Sequence, residues 1–523
     1  MKDFETYKKQ IIEKVMKPVE AAGFQIYFVG GCVRDELLGK EPHDLDLVGS
    51  ASPSDLHTIF SKFSNVSNNS EQFGVTMPLI DINGKLEEIE IATFRKDTSK
   101  GRHPTISLNA SIKEDAERRD FTINAMYEDS KGDIIDPTGQ GIADVKAKVL
   151  RFVGDPKERL SEDPLRAFRF VRFLAQKGFT AAYGTEEIKR ACEGLDFSEV
   201  SKERILKEFK QIVAGKFFTY KSEAFHFAYE ARVFEVVGLL NIFTEMDMIE
   251  QAWRWHAEGS VFEDPKGEPF LVMEQRDFTG CTLIEHGSVL AHTFLTFAEM
   301  HKIIFEGTNV PELKMDLDEE QIFLLKLGAL LHDIGKCHCQ HQGVRTKTFM
   351  FDGKEIREED IPVVNEHPQT GVEPAEKFCK SLKMSNEETH FVCSMVAHHM
   401  EAHELSAHKH FHDILKFVKH PHFKEIMMVA LADERGAIKL EGFDERGCVA
   451  EIMKDERVIK AMEMEVPKPI LTGDDLIKFG RKPGPLFRKM LDVAFGIQID
   501  QGITDKHQLY RMVKNVELSK EEM

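Results

Sequence analysis

The hydrophobic pattern of this sequence changes near residue 155. Before that point, short apolar runs are separated by glycine-containing turns, a pattern typical of strands and short helices. Beyond it, strand signals nearly vanish and apolar residues recur with the 3.6-residue period of amphipathic helices. We therefore expect an α+β protein, in which an α/β head with a mixed sheet and helices precedes an all-helical remainder.

The composition excludes several other classes of protein. Of the 523 residues, 42% are hydrophobic and 30% are charged, an ordinary balance for folded domains. Eight cysteines are too few for a disulfide scaffold, and the polar start lacks the apolar core of a secretory signal. The sequence has no run of about 18 apolar residues, so we expect no membrane span. We therefore expect a multidomain cytoplasmic protein with no membrane partner.

Charge and histidine are unevenly distributed along the chain. The net charge is −20, but the first 220 residues carry 33 basic and 36 acidic groups. This near neutrality leaves room for a local basic track that could attract a polyanion. Sixteen of the 22 histidines lie between His286 and His422, which marks the middle of the chain as a separate chemical unit.

Two carboxylates lie close to a glycine turn near the start of the chain. IYFV at 26–29 predicts a strand that runs into two glycines, and the helix predicted after them carries Arg34 in its first turn. In DLDLVG at 44–49, Asp44 and Asp46 would share one face of a strand. Paired carboxylates suit Mg²⁺, which prefers oxygen ligands and can bridge nucleotide phosphates. An isolated D-x-D is more often a solvated strand face, but the neighbouring glycine turn favours a metal site.

A hairpin is predicted between MPLIDI and EEIEIATF, because Asn83-Gly84 favours a type I′ turn. The second of these strands should lie beside residues 44–46. Glu90 in this strand is therefore a candidate third carboxylate for the metal, and a cross-strand partner for a lysine is the alternative.

Charged side chains recur every three residues in EDPLRAFRFVRF at 162–173. A neighbouring Asp and Arg can hydrogen-bond the Watson–Crick edge of a base. A solvated face of helical ion pairs is the alternative. The four side chains are those of Asp163, Arg166, Arg169 and Arg172.

These motifs together resemble a known family. The active-site signature of class II tRNA nucleotidyltransferases, the CCA-adding enzymes, and of bacterial poly(A) polymerases is similar to YFVGGCVRDELLGKEPHDLDLVGSASP. Three further stretches agree in order and spacing: EIEIATFRKDTSKGRHP, EDAERRDFTINAMY and IIDPTGQGIADVKAKVLRFVGDPKERLSEDPLRAFRFVRF. VSKERILKEF at 200–209 is similar to the helix that braces the neck in this family, and together the stretches cover about 40% of the chain. The resemblance implies a nucleotidyltransferase head with Asp44 and Asp46 as catalytic Mg²⁺ ligands. There an RNA 3′-hydroxyl attacks the α-phosphorus of a nucleoside triphosphate, and pyrophosphate leaves.

The same resemblance implies roles for the nucleotide-binding residues. Asp163 and Arg166 would select CTP or ATP in place of a nucleic-acid template. Arg119 would meet the triphosphate and Asn124 the ribose, while a helix cap is an equally good role for Asp120. The last two arginines of the 162–173 segment would contact phosphate or steady the site. The implied nucleotide-binding residues are Gly31, Arg34, Arg119, Asn124, Asp163, Arg166, Arg169 and Arg172.

The histidine-rich middle resembles a second family. LGALLHDIGK places His332 and Asp333 directly after an apolar helical run. With His292 in VLAHTF and Asp433 in LADERG, the pattern resembles the HD metal-dependent phosphohydrolase domain. Two His and two Asp suit a divalent metal (Mg, Mn, Ni, Co or Fe), with open positions for water and phosphate.

A second metal in this domain is implied by the same resemblance. Its ligands would be His367 and either His398 or His399. The histidines at 403–413 are expected to form a polar helix face. The implied activity is hydrolysis of 2′,3′-cyclic phosphates or related phosphoesters, which would repair damaged RNA ends.

We expect four regions along the chain. They are a catalytic nucleotidyltransferase head (1–150), a helical neck and body with nucleotide-selecting and RNA-binding helices (151–275), an HD domain (276–450) and a helical tail that contacts tRNA (451–523).

The function implied is template-independent addition of CCA to the tRNA 3′ end from CTP and ATP. Poly(A) polymerase is less favoured, because residues 71–94 lack the basic cluster expected of that relative. A CC-only enzyme is less favoured because the 22 residues from Lys96 to Glu117 are close to the full loop length. An A-only enzyme stays open, as does the oligomeric state. An HD phosphohydrolase with an RNA-binding head is the alternative from a different class.

Overall fold

The computed structural model describes residues 4–42, 44–60, 74–97, 106–247, 250–251, 254–256, 274–276, 282–284, 287–338, 344–351, 354–362, 366–436 and 448–515. The chain divides into two compact units, Met1–Leu239 and Leu240–Met523. Residues 98–105, which belong to the loop whose length disfavours a CC-only enzyme, lie outside the described residues. The division into four regions stays a prediction.

Helices are the main elements of both units. Numbered in chain order, they are α1 (Phe4–Ile11), α2 (Lys17–Ala21), α3 (Gly31–Leu37), α4 (Pro53–Ile59), α5 (Ile112–Glu117), α6 (Gly141–Ala147), α7 (Pro156–Glu162), α8 (Leu165–Lys177), α9 (Thr185–Cys192), α10 (Lys202–Ala214), α11 (Glu223–Glu230), α12 (Val233–Val236), α13 (Leu239–Asp247), α14 (Val289–Phe305), α15 (Glu319–Leu331), α16 (His367–Ser381), α17 (Asn386–Glu404), α18 (Phe411–Val418), α19 (Phe423–Gly436), α20 (Cys448–Ile452), α21 (Glu456–Glu463), α22 (Gly473–Lys478), α23 (Pro485–Gln501) and α24 (Lys506–Val513).

The strands are short, and most of the longer ones are paired as hairpins or in the head sheet. They are β1 (Ile26–Val29), β2 (Leu47–Gly49), β3 (Val75–Thr76), β4 (Leu79–Ile82), β5 (Lys85–Glu88), β6 (Ile91–Thr93), β7 (Lys96–Asp97), β8 (Ile106–Ser107), β9 (Tyr127–Glu128), β10 (Ile134–Ile135), β11 (Val149–Leu150), β12 (Thr180–Ala181), β13 (Glu250–Gln251), β14 (Arg254–His256), β15 (Glu274–Arg276), β16 (Thr282–Ile284), β17 (Gly287–Ser288), β18 (Val344–Phe351) and β19 (Lys354–Pro362).

A six-stranded sheet forms the head of the first unit, in the order β10-β9-β1-β2-β6-β3. β2 and β6 are parallel, whereas the other neighbours in this sheet are antiparallel. The predicted mixed sheet is therefore confirmed.

Two turns predicted from glycine are confirmed. Between β1 and α3, Gly30 has a φ of 79°, in the left-handed region that glycine adopts without strain. Between β4 and β5, Asn83 and Gly84 have φ values of 54° and 80°, as a type I′ turn requires.

The strand predicted over 44–49 is shorter in the structure. β2 begins at Leu47, so that both aspartates lie just before it. The carbonyl oxygen of Asp46 still accepts a hydrogen bond from the Val29 N–H at 3.0 Å, which fixes this segment beside β1.

Buried phenylalanines pack α8 against the head. The ring centroids of Phe121 and Phe152 are 5.1 Å apart, and Phe152 stacks on Phe170 of α8 at 5.3 Å. Phe168 and Phe173 of α8 are also buried. Phe173 lies beside an arginine of the same helix, since the guanidinium carbon of Arg172 is 5.3 Å from its ring centroid.

The second unit is mainly helical, and α15 is buried from Phe323 to Leu331. The structure adds strands that we did not expect, notably the antiparallel hairpin of β18 and β19. The first of these strands, VRTKTFMF, combines β-branched and aromatic residues with basic ones. The basic residues interrupt the hydrophobic pattern, so that the pattern did not predict this strand. None of the described helices is both long and apolar enough to cross a membrane.

Candidate active site and metal centre

A pocket of about 310 Å³ opens at the glycine turn of the first unit. Four guanidinium groups converge on it, which suits a polyanion such as a triphosphate. The predicted site residues that line it are Gly31, Arg34, Asp46, Arg119, Asn124, Arg169 and Arg172.

Arg119 is fixed by a buried carboxylate. Its Nη2 and Nε donate to Asp115 Oδ2 at 3.0 and 3.2 Å, and Nε also donates to the Tyr127 hydroxyl at 3.2 Å. The same carboxylate accepts from Arg118 Nη2 at 2.7 Å. Burial opposes ionisation of Asp115, but Arg119 and Arg118 lower its pKa. Asp115 therefore stays charged and holds Arg119 at the pocket.

Asp120 joins the head to α8. Its Oδ2 accepts from Arg169 Nε at 2.8 Å, and its Oδ1 accepts from the Phe121 N–H at 2.8 Å and from Asn124 Nδ2 at 3.1 Å. Burial alone would raise the pKa of Asp120, but Arg169 and the hydrogen bonds lower it to about 2. The short helical turn that follows, Thr122–Asn124, begins after Phe121 and has no side-chain cap, so the capping role considered for Asp120 is wrong and the residue instead forms an ion pair with Arg169.

Arg34 reaches the pocket from α3. Its Nη1 donates to Asn124 Oδ1 at 2.7 Å, and its Nε donates to Asp35 Oδ1 at 2.9 Å. The guanidinium carbon lies 5.2 Å from the ring centroid of Phe173. These contacts hold both Arg34 and Asn124 in place without a ligand.

Arg172 is braced by α10. Its Nη1 donates to Gln211 Oε1 at 2.8 Å and lies 3.1 Å from Glu208 Oε2. This agrees with the bracing role that the resemblance implied for the helix in VSKERILKEF.

Carboxylate side chains line a second pocket, which has a volume of about 700 Å³. Asp44, Asp46 and Glu90 line it. Desolvation raises the pKa of Asp46 and the charge of Asp44 adds to the rise, while desolvation and Asp46 raise the pKa of Glu90. Carboxylates that repel one another in this way are stabilised by a divalent cation, so these oxygen donors fit Mg²⁺. The structure thus places Glu90 with the aspartates.

Asp163 and Arg166 are not among the described residues that line these two pockets. Arg166 donates to the carbonyl oxygens of Arg159 and Arg118 at 2.9 and 2.7 Å. Asp163 accepts from the Leu165 N–H at 3.2 Å, at the start of α8. Their role in nucleotide selection stays a prediction.

Several residues that support or line the first pocket were missed by sequence reasoning. Asp115 precedes its two arginine partners by three and four residues, a spacing typical of helical ion pairs that could have identified it. Tyr127 and Glu208 lie on other elements than the arginines they contact, so no spacing in the local sequence could have identified them. The missed residues are Asp115, Tyr127, Gln176, Lys177 and Glu208.

In the second unit, the predicted metal ligands form two groups. The ligand atoms within each group lie within 4.8 Å of one another. The groups are His292, His332 and Asp433, and Asp333, His367 and His399.

Facing nitrogens within these groups suit a cation. In the first, His292 Nε2 lies 2.7 Å from Asp433 Oδ1 and 3.3 Å from His332 Nε2. In the second, His367 Nε2 lies 3.2 Å from His399 Nε2. Two facing imidazole nitrogens can share only one proton, whereas a divalent metal can bind the lone pairs of both. The donors therefore fit the metals expected of an HD site.

Burial distinguishes the two neighbouring histidines and favours His399 as a ligand. His399 is fully buried within the second group, and burial lowers its pKa to about 3, which leaves the ring neutral as metal binding requires. His398 is half-exposed, and its Nδ1 lies 2.9 Å from Glu401 Oε2.

We expected the histidines at 403–413 to form a polar helix face, and His403 departs from this expectation. Its Nε2 lies 3.0 Å from Asp433 Oδ2, so that His403 orients this carboxylate. On the other side of the site, Lys336 Nζ donates to Asp333 Oδ2 at 2.6 Å. Burial raises the pKa of Asp333, but Lys336 and His332 hold it well below the usual range.

Comparison with known domains matches both units. Residues 26–151 match the poly A polymerase head domain, and residues 294–438 match the HD domain. The chain carries a poly A polymerase head domain and an HD domain. The resemblance found in the sequence is thus confirmed for both domains.

Curated proteins similar to part of the chain are CCA-adding enzymes. That of Leuconostoc citreum is 38% identical over 222 residues, which are 42% of this chain and 52% of the relative. That of Lactiplantibacillus plantarum is 37% identical over 210 residues, 40% of this chain and 49% of the relative. The chain thus spans about half the length of the curated relatives it matches.

Solved structures share the fold over nearly the whole chain. The Bacillus stearothermophilus CCA-adding enzyme in complex with CTP matches with a TM-score of 0.55 and 19% identity, over 98% of each chain. The Thermotoga maritima CCA-adding enzyme complexed with tRNA matches with a TM-score of 0.52 and 17% identity, over 97% of this chain and 94% of that one. The poly A polymerase head domain and the HD domain therefore lie in a chain with the fold of CCA-adding enzymes.

Proposed function

We propose that the protein adds CCA to the 3′ end of tRNA from CTP and ATP, with release of pyrophosphate. The observation that carries this proposal is that Asp46 lines both pockets, the one with four arginines and the one with five acidic residues. A triphosphate in the first pocket would place its α-phosphorus near the carboxylates. The names of the curated relatives and of the solved structures support the same activity.

In this mechanism, the arginines of the first pocket neutralise the triphosphate and the pyrophosphate that leaves. Arg119 is held for this task by Asp115, and Arg169 by Asp120. Asp44 and Asp46, with Glu90, would hold Mg²⁺, which when bound favours deprotonation of the attacking hydroxyl and neutralises phosphate charge. Asn124, which is held between Arg34 and Asp120, would meet the ribose.

The test is incorporation of labelled CTP and ATP, separately and together, into tRNAs that lack CCA, CA or only the final A. The enzyme should complete CCA in the presence of both nucleotides and then stop. If only the tRNA that already ends in CC is extended, and by a single A, the result would favour an A-only enzyme. Unlimited addition of A would favour a poly(A) polymerase. The double variant Asp44→Asn/Asp46→Asn is the negative control.

We further propose that the HD domain hydrolyses phosphoesters such as 2′,3′-cyclic phosphates. Its two groups of imidazoles and carboxylates favour this second activity. His332→Ala/Asp333→Ala should abolish hydrolysis of a cyclic nucleotide in the presence of Mg²⁺, Mn²⁺, Ni²⁺, Co²⁺ or Fe²⁺ and leave CCA addition active. The head variant Asp44→Asn/Asp46→Asn should have the opposite effect. Loss of both activities in both variants would contradict two independent sites.

We place the protein in the cytoplasm, where its cysteines would stay reduced. tRNA is the proposed partner, and binding through a narrow basic track in an acidic protein should weaken steeply as salt increases.

A further inference from the structure

We propose that His410, His412 and Asp500 form a transition-metal site, best suited to zinc, that ties α23 to the start of α18. This site is separate from the HD residues and from the head. The ligand atoms of the three residues lie within 4.8 Å of one another. Two imidazole nitrogens and one carboxylate oxygen are donors that Zn²⁺ takes, with a fourth position left for water.

The two rings converge on a single oxygen atom. Nδ1 of His410 lies 3.1 Å from Asp500 Oδ2, and Nδ1 of His412 lies 2.7 Å from the same atom. Tetrahedral zinc with bonds of about 2.0–2.1 Å separates its ligand atoms by about 3.4 Å, so a bound ion requires only a small widening of these distances. The side chain of His410 is 64% exposed, which leaves the site accessible to an ion from solvent.

The carboxylate is fixed before any ion arrives. Asp500 Oδ1 accepts a hydrogen bond from the backbone N–H of His412 at 2.9 Å, which leaves Oδ2 for the rings. Asp500 lies in the last turn of α23, whereas the two histidines flank the first residue of α18. The three donors therefore come from two elements that are far apart in sequence.

The ring of His412 is oriented as metal-bound histidines are. Its second nitrogen, Nε2, lies 3.1 Å from Asp413 Oδ1, and a carboxylate at this position fixes the ring and strengthens the other nitrogen as a ligand. The ring also lies flat against Gly496, where a Cβ atom would come within 2.9 Å of it. Packing and charge thus both direct Nδ1 of His412 towards Asp500.

The role of such a site would be structural. Since α23 packs against α18 within the second unit, a metal bound to both would hold the tail helices against α18, which lies within the residues that match the HD domain. Metal binding would then stabilise the folded chain, because the unfolded chain does not bring the ligands together.

The test measures zinc bound per chain in the full-length protein after removal of metals and dialysis against Zn²⁺. The variants are His410→Ala, whose side chain is largely exposed, and Asp500→Asn, which keeps the acceptor for the His412 N–H. The control is His226→Ala, which removes an exposed histidine from α11. Co²⁺ in place of Zn²⁺ reports tetrahedral geometry by its visible absorption.

Wild type and His226→Ala should each bind one Zn²⁺ per chain more than His410→Ala and Asp500→Asn. Zn²⁺ should also raise the melting temperature of wild type more than that of His410→Ala. Asp413→Asn should weaken the site by about 10- to 100-fold. Equal zinc content and equal thermal shifts in all variants would overturn the proposal, and it would then follow that Asp500 only caps α18.

Discussion

The guanidinium of Arg169 and the carboxylate of Asp120 form a partly buried ion pair between residues 49 positions apart in the sequence. This pair links α8 to the RRD segment of the head domain. Because Asp120 also accepts from Asn124, one carboxylate positions two side chains of the first pocket. The geometry of the nucleotide site therefore depends on a residue that need not touch the nucleotide.

Replacement of Asp120 by Asn should lower the rate of nucleotide incorporation and also the part of the unfolding free energy that depends on ionised Asp120. The pKa of Asp120 is about 2 in the folded chain, below its unfolded value. The stability from this shift is therefore present above about pH 4 and is lost as pH falls towards about 2. We expect a loss of about 2 kcal/mol near neutral pH, measured by urea unfolding across this range. Equal pH dependence in wild type and Asp120→Asn would contradict the assignment.

Neighbouring arginines provide a matched test of the first pocket. Arg119 and Arg118 both bind Asp115, but only Arg119 is among the described residues that line the pocket. Arg119→Lys should lower kcat/KM for nucleotide incorporation by about 10- to 100-fold, because a charge-assisted hydrogen bond contributes about 1.5–3 kcal/mol. Arg118→Lys should change it by less than about threefold. Equal losses of kcat/KM in the two variants would indicate that both arginines stabilise the fold and that neither contacts the nucleotide.

Much of the head domain could be predicted because its signals are local. The glycine turn, the Asn83-Gly84 hairpin and the Asp44/Asp46 pair each occupy a few consecutive residues. In contrast, Glu208 fixes Arg172 through a contact between two helices that only packing brings together. Local pattern does not report such a contact, so sequence reasoning found this arginine but missed the carboxylate that holds it.

The HD domain illustrates the same limit at one pair of residues. His398 and His399 are adjacent on α17, so their side chains point about 100° apart. Which one faces the metal centre depends on how α17 packs against α15, and the sequence alone left the choice open. His403, one turn further along α17, is likewise brought to Asp433 by the same packing.

These two histidines give the sharpest test of the HD site. His399→Gln should reduce the metal content of the protein by about one ion per chain and abolish hydrolysis of a cyclic phosphate. His398→Gln should leave both unchanged, since His398 lies at the surface against Glu401. Metal analysis and phosphoesterase assays of the two variants measure this directly. Loss of metal in His398→Gln with retention in His399→Gln would reverse the assignment.

Lys326 is a fully buried amine in α15 whose replacement should stabilise the protein. Its Nζ lies 3.3 Å from His301 Nδ1 and 4.9 Å from the ring centroid of Phe297. Burial lowers its pKa well below the usual value of 10.5. The unfolded chain therefore binds the proton more readily, and the resulting destabilisation is greatest at low and neutral pH and shrinks as pH rises towards 10.5. Lys326→Met fills a similar volume with no charge, so we expect a gain of about 1–3 kcal/mol at neutral pH.

The measurement is chemical unfolding of Lys326→Met between pH 6 and pH 10, with Lys302→Met as the control. Lys302 is an exposed lysine on α14 that pairs only at the surface with Glu299, so its replacement should change stability by less than about 0.5 kcal/mol. The gain from Lys326→Met should decrease as pH rises towards 10.5, because the amine of the unfolded chain then loses its proton and no longer favours unfolding. A loss of stability that is independent of pH would instead mean that the contacts of the Lys326 amine outweigh the cost of burying it.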